Sequence, residues 1–236
     1  MLAVIRAIVA PTLPKSERIA CQESVRKSGL LQKLCEILIA TGVPANVLAD
    51  TITTVAEAIQ GNQLSQEFLM LQQAPFQPPR PLVVVLLMSM IGEHQPLGLR
   101  TSILYFFQAI YLKNTAAQSK LVQTLLPQQG NKGVGISTGQ LLCSGFFSTE
   151  SASARWLSAV ALSHGIAGNL QQKEQLLRVQ LATSVGNPPI SLLKRTSQDL
   201  MTISREGKFY CLNITKMSWY GVDIFDQIIL YFLLQE

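Results

Sequence analysis

An all-α, armadillo-like α-solenoid, truncated at both ends, is the fold this sequence predicts, and three observations predict it. Apolar residues recur at helical spacing in one segment after another; glycine and proline mark the corners between segments; and a Leu-rich helix followed by a longer one returns at a regular distance. Leu34, Leu86 and Leu142 mark that return, 52 and 56 residues apart. These periods exceed the ~40 to 47 residues of ordinary armadillo and HEAT units, consistent with the long connectors in this chain. With 236 residues, 48% of them hydrophobic and 14% charged, the chain can bury a large core.

Met1 to Ala10 is apolar nearly all round and starts with no capping residue, as though the chain opened in the middle of a helix. Pro11 to Pro14 breaks it, and Ser16 to Lys27 reads as a short polar helix. The organising unit follows, from Ser28 to Gly61. Leu30, Leu31, Leu34, Cys35, Leu38 and Ile39 form one apolar stripe, and Leu48, Ile52, Val55 and Ile59 form the next. Gly42 suits a left-handed helix stop, Pro44 a helix start, and Gly61 the end of the second helix. A helix over Leu64 to Leu71 leads to the proline-rich connector from Ala74 to Pro81, which cannot be helical inside.

The run from Leu82 to Met88 contains three consecutive valines and could be a strand, but Pro81 before it and Gly92 after it favour a buried helix. Pro96 opens another helix with two stripes: Leu99, Ile103, Phe106 and Ile110, then Leu104, Phe107 and Tyr111. A helix apolar on two sides is buried on two sides, as in the middle of a stacked array. After a glycine-rich loop from Gly130 to Gly139, a short helix spans Gln140 to Phe147 and a longer one Ser148 to His164, with Trp156, Val160 and His164 in line. A further helix places Leu170, Leu177, Leu181 and Val185 in line, pairs Glu174 with Arg178, and ends at Gly186; Pro189 starts another at Ile190.

Composition excludes several functions. The net charge of +5 is spread thinly over cations such as Lys15, Arg18, Arg26, Lys27, Lys113, Lys120, Lys173, Arg178, Lys194 and Arg195. Nucleic-acid binding needs cations converging on one face with stacking aromatics, so no nucleic acid is expected. Cys21, Cys35, Cys143 and Cys211 show no zinc-ligand spacing and read as reduced, mostly buried thiols, so neither metal nor cofactor is expected. No secretory signal is recognised, and the glycosylation acceptor at Asn213 reads as chance. The longest apolar runs, Leu82 to Met88 and Ile228 to Leu234, fall far short of the ~20 residues that cross a bilayer.

Catalysis has no foothold. His94 and His164 have no acid or nucleophile in a recognisable arrangement, and Glu17, Glu23, Glu36 and Glu57 are single charges on helix faces. The Gly130 to Gly139 loop lacks the Gly-Lys-Ser/Thr order of a phosphate loop and fits dinucleotide spacing badly. Catalytic, cofactor and metal residues are therefore none. Trp156, Phe106 and Phe107 could face partners from an inner surface, with core packing the plainer reading. The Pro75 to Pro81 connector could meet a polyproline reader, though a stiff link between layers suffices.

Four segments carry a family resemblance: Gly29 to Ile59, Pro78 to Arg100, Gly139 to Ser151 and Gln172 to Leu193. They closely resemble the globular head of the vesicle-docking family of general vesicular transport factors, and the resemblance covers roughly residues 1 to 195. It implies an armadillo-like head, followed in the full-length family by a coiled-coil rod that makes a homodimer and by an acidic tail. It further implies tethering of vesicles at the Golgi before fusion, in ER-to-Golgi and intra-Golgi transport. The implied partners are a Rab-type GTPase, golgins, SNAREs and other tethering factors, met on the cytosolic face of Golgi membranes by peripheral association. No heptads for the rod occur in this chain. Residues 196–236 depart from the family pattern and read as an alternative or mis-predicted end. The alternative function is an armadillo-like adaptor of the nuclear-transport or adhesion type, which would show a ladder of Asn and Trp where this chain has only Trp156 and Trp219.

Overall fold

The corner Ala40-Thr41-Gly42-Val43-Pro44 turns one helix into the next because Gly42 takes φ +78° and Pro44 stands at the following N-cap. Corners of this kind organise the structure, a computed structural model that describes residues 1–125, 137–148, 150–181 and 188–205. Among the described residues the elements are α1 (Leu2–Val9), α2 (Lys15–Lys27), α3 (Leu30–Ile39), α4 (Ala45–Ile59), α5 (Gln63–Met70), the strands β1 (Gln73–Ala74) and β2 (Arg80–Pro81), α6 (Leu82–Ile91), α7 (Leu97–Tyr111), α8 (Thr115–Leu125), α9 (Thr138–Phe146), α10 (Ala152–Ile166), α11 (Leu170–Leu177), the strands β3 (Gln180–Leu181) and β4 (Ile190–Ser191), and α12 (Leu192–Arg205). The all-α solenoid expected from the sequence is what the chain adopts.

The unit has three helices, one more than the sequence period suggests. A polar first helix, a short apolar second and a third of 15 residues recur as α2-α3-α4, α5-α6-α7 and α8-α9-α10. α11 and α12 begin a fourth such set, and α1 packs on α4 where a preceding third helix would lie. Leu34, Leu86 and Leu142 all sit in second helices and are buried, so the sequence marks were equivalent positions. α8 is the helix the sequence did not announce.

Both stripes of α7 are buried, with Ile103, Phe106, Phe107 and Ile110 at 0% exposure, as a helix between two neighbours requires. The Leu82 to Met88 run is helical, its N-cap supplied by Pro81 and its end by Gly92. The proline-rich connector is non-helical, as expected, and is pinned as a hairpin, β1 antiparallel to β2, with the Leu82 amide donating to the Gln72 carbonyl at 2.9 Å. Expectations for α10, α11 and α12 are corrected. The same device closes β3 on β4, where Leu192 donates to Val179 at 2.9 Å. It therefore stops α11 at Leu177, puts Leu181 in a strand and delays α12 to Leu192; Val185 and Gly186 lie outside the described residues. The Glu174–Arg178 pair is not among the ion pairs of the described residues. α10 starts at Ala152 instead of Ser148 because the Ser151 hydroxyl caps it, accepting from the Ala154 amide at 3.1 Å.

Candidate interaction surface

Each unit is closed by a glutamine that no helix-period argument picks out. Gln22 in α2 donates through Nε2 to the Glu57 and Gln60 carbonyls at 2.9 and 3.1 Å. Gln66 in α5 donates to Ala109 and Leu112 at 2.7 and 3.1 Å, and Gln118 in α8 to His164 and Ala167 at 3.4 and 3.0 Å. In every case the acceptors are three residues apart at the C-terminal end of the 15-residue helix, where carbonyls have no intrahelical donor. One side chain thus adds a donor to two carbonyls at the helix end and fixes the first helix against the third.

The residues that follow are also repeated. Gly61, Lys113 and Gly168 take φ values of +71°, +55° and +67°, and each precedes an asparagine, Asn62, Asn114 or Asn169, that caps the next first helix. In the sequence this is Asn62 to Gln66 and Asn114 to Gln118 at the same four-residue interval, a signal readable without coordinates. Asn169 goes further: its Nδ2 donates to Gln118 Oε1 at 2.9 Å, linking the third unit to α11.

At the opposite end of the long helices sits Arg100, 4% exposed. Its Nε donates to the Met90 carbonyl at 2.7 Å, its Nη2 to Ile91 at 3.4 Å, and its Nη1 to Ser153 Oγ on α10 at 2.8 Å. Burial pulls its pKa down while Glu93 pulls it up.

Along the long helices runs a strip that is exposed at Asn46, Asp50 and Leu97 and half-buried beyond them, mixing polar with apolar side chains. On α4 it carries Asn46, Asp50, Thr53 and Glu57, and on α7 Leu97, Thr101, Tyr105 and Gln108, each spaced three or four residues along one face. Arg6 of α1 joins the first strip, 3.8 Å from Asp50 and 3.6 Å from Glu57. Of the aromatics considered as partner-facing, Phe106 and Phe107 are wholly buried, while Trp156 on α10 is half-buried. Among the described residues the long helices carry no Asn and Trp ladder; the repeated polar residues are the glutamine closures and the asparagine caps.

The groups weighed for chemistry are dispersed. His94 is exposed in the corner before α7, whereas burial lowers the His164 pKa to about 4. Burial raises the Cys35 and Cys143 thiols to about 12 and about 11, so both stay protonated. No group of three or more His, Cys, Asp or Glu able to hold a metal occurs among the described residues. Residues 130–136 of the glycine-rich loop lie outside the described residues; Ser137 and Gln140 form the capping box of α9.

Three-helix units, each closed by a glutamine, define an armadillo-type repeat protein. Residues 1–47 match the armadillo tether-repeat of vesicular transport factor, and residues 58–214 match the head region of the Uso1/p115-like vesicle tethering proteins. General vesicular transport factor p115 of Rattus norvegicus is 52% identical over 201 residues, which cover 85% of this chain and 21% of that protein. p115 of Homo sapiens gives the same figures, and that of Bos taurus is 51% identical with the same coverage. The chain belongs to the Uso1/p115-like vesicle tethering family. It spans about a fifth of the length of these relatives.

Proposed function

We propose that this chain is a non-catalytic segment of a vesicle-tethering head, acting through protein contacts in ER-to-Golgi and intra-Golgi transport. The observation that carries the proposal is the match of residues 58–214 to a tethering head region. The strip from Arg6 through Asp50, Tyr105 and Gln108 to Trp156, exposed at Asp50 and half-buried elsewhere, supports it, because a solenoid face offers partners a preorganised surface. The proposed partners are a Rab-type GTPase, golgins, SNAREs and other tethering factors on the cytosolic face of Golgi membranes. No helix among the described residues is long and apolar enough to cross a membrane, which fits peripheral association through such partners. Homodimerisation belongs, in this reading, to the rod of full-length members.

Titration of the purified chain with an early-secretory Rab GTPase, loaded with a GTP analogue or with GDP at physiological salt, tests this. Preferential binding of the GTP form is expected. A folded chain that binds neither form, nor any tether or SNARE preparation offered in parallel, refutes it. We also propose that repeats run through residue 195 and that 196–236 is a divergent end. Since the family match runs on to residue 214, the transcript across the Arg195 and Thr196 codons decides where divergence begins. An uninterrupted exon there in related transcripts would remove the proposal.

A further inference from the structure

Arg100 holds its charge inside the protein, and among the described residues no carboxylate lies within ion-pair distance of it. Its three hydrogen bonds use three of the five N–H donors of a guanidinium and end on neutral oxygens. Buried cations are ordinarily paired, so a 4% exposed arginine with only neutral acceptors has an unmet preference for an anion. One of its three acceptors is not a fixed carbonyl. It is the hydroxyl of Ser153, half-buried on α10, which also shares a hydrogen bond with Ser151 Oγ at 3.2 Å.

We propose that Ser153 is a phosphoacceptor and that its phosphate is held within the chain by Arg100. In that step Ser153 Oγ attacks the γ-phosphorus of a nucleoside triphosphate on a protein kinase. The bond to the nucleoside diphosphate breaks, and the hydroxyl proton leaves to the kinase's base. The neighbouring Glu150 and Ala152 are exposed, so the segment a kinase would engage lies at the surface. The phosphate carries about −1.5 to −2 charges and three strong acceptor oxygens. Arg100 Nη1 already reaches the atom that would bear it, at 2.8 Å, and a guanidinium fork suits phosphate oxygens.

The groups around the phosphate do not all favour it. Glu93, whose charge Arg100 feels, and Glu150 oppose the new anion. Arg155 stands two residues on, its guanidinium turned to the Ser148 carbonyl at 3.2 and 2.7 Å. The structural consequence is specific: Arg100 belongs to the second unit and Ser153 to the third. A phosphate there converts a hydrogen bond from a cation to a neutral hydroxyl across the joint into an ion pair that locks the two units together.

Two arms test this on the full chain. Incubation with eukaryotic cytosol and ATP, followed by phosphopeptide mapping, is expected to place phosphate on Ser153; its absence there overturns the acceptor role. In the second arm phosphoserine is incorporated at 153 and the phosphate is titrated by 31P NMR beside a free peptide of residues 148–156. A neighbouring cation favours the dianion, so the second ionisation is expected at least about half a pH unit below the peptide's. Amide exchange in α10 should slow as well. Peptide-like titration, or faster exchange, overturns the lock. Arg100→Lys keeps the charge and loses the fork, and should retain only part of the shift. A full shift in a folded Arg100→Gln chain would equally refute the role of Arg100.

Discussion

The third helices of units two and three have the same length and end on the same glutamine closure, yet they are packed by opposite means. α7 fills its surroundings with rings and branched chains: Phe106 meets Phe107 edge-on at 5.7 Å, and Phe107 stacks on Tyr111 at 6.1 Å. α10 has no ring among its fully buried residues and sets the small residues Ala154, Ser158, Ala159, Ala161 and Gly165 between Leu157, Val160 and Leu162. A side chain added at Gly145 of α9 would collide with Ser158 Oγ, and one at Gly165 with the Leu121 side chain. Unit two is held by volume and unit three by close approach. The same repeat plan therefore tolerates opposite errors: truncation should hurt unit two most, and enlargement unit three.

The largest effect expected is Phe107→Ala. The ring is at 0% exposure with an aromatic neighbour on either side, and a cavity of that size costs about 3–5 kcal/mol. Urea unfolding followed by circular dichroism should show it. A loss below about 1 kcal/mol would mean that the α7 neighbourhood collapses to fill the space, and the contrast with α10 would fail.

Enlargement gives the next effect, and two glycines at the second position of their helices make the comparison. A Cβ at Gly139 in α9 would lie 2.7 Å from Thr124 Oγ1 and 2.8 Å from the Leu125 backbone nitrogen, which cannot move aside. Gly139→Ala should destabilise by about 1–3 kcal/mol. Gly98 in α7 has nothing within 4 Å of its missing Cβ, so Gly98→Ala should be neutral or stabilising by up to about 1 kcal/mol. Equal melting temperatures for the two variants would sink the distinction.

This contrast explains how much the sequence discloses. The helix stripes, the Gly42 and Gly61 stops and the equivalence of Leu34, Leu86 and Leu142 are legible because burial imposes a period and left-handed corners demand glycine. α8 is obscured because Thr115-Ala116-Ala117-Gln118-Ser119-Lys120 is weakly apolar, and because Lys113 holds the left-handed corner that glycine holds before Asn62 and Asn169. Arg100 is hidden for another reason. In Leu97-Gly98-Leu99-Arg100 it reads as a surface charge, and only the fold turns it inward onto Met90 and Ser153. The partly exposed strip of α4 and α7 leaves no periodic mark that distinguishes a binding face from a solvated one.

Acid should separate the units as well. His164 in α10 is held neutral, its pKa lowered to about 4 by burial against an ordinary 6.5. The unfolded chain takes the proton first, so His164 costs no stability above pH ~6.5 and stability falls between about 6.5 and 4. Glu57 in α4 has the opposite sign. Burial raises its pKa against the pull of Arg6, so the folded chain takes up that proton more readily and gains stability as pH falls through its titration. Amide exchange by mass spectrometry, corrected for intrinsic rates, should show α10 loosening relative to α4 as pH drops from 7 to 4.5. Parallel loosening of the two helices would mean that neither group governs its unit.

The smallest effect expected concerns the closures themselves. Gln66→Leu removes two hydrogen bonds from Gln66 Nε2 and leaves the buried Ala109 carbonyl and the Leu112 carbonyl without that donor. A loss of about 1–2 kcal/mol follows, because a buried acceptor loses its partner without regaining water. Gln118→Leu removes the equivalent bonds, one of them long at 3.4 Å, and also strands Asn169 Nδ2, which donates to Gln118 Oε1. It should cost slightly more than Gln66→Leu and should fray α11, whose cap is Asn169. Combining Gln118→Leu with Asn169→Ala tests the link directly. The pair should lose less than the sum of the single variants, since the contact can be broken only once. Strict additivity would show that the third closure acts alone, like the first, whose Gln22 Oε1 has no partner.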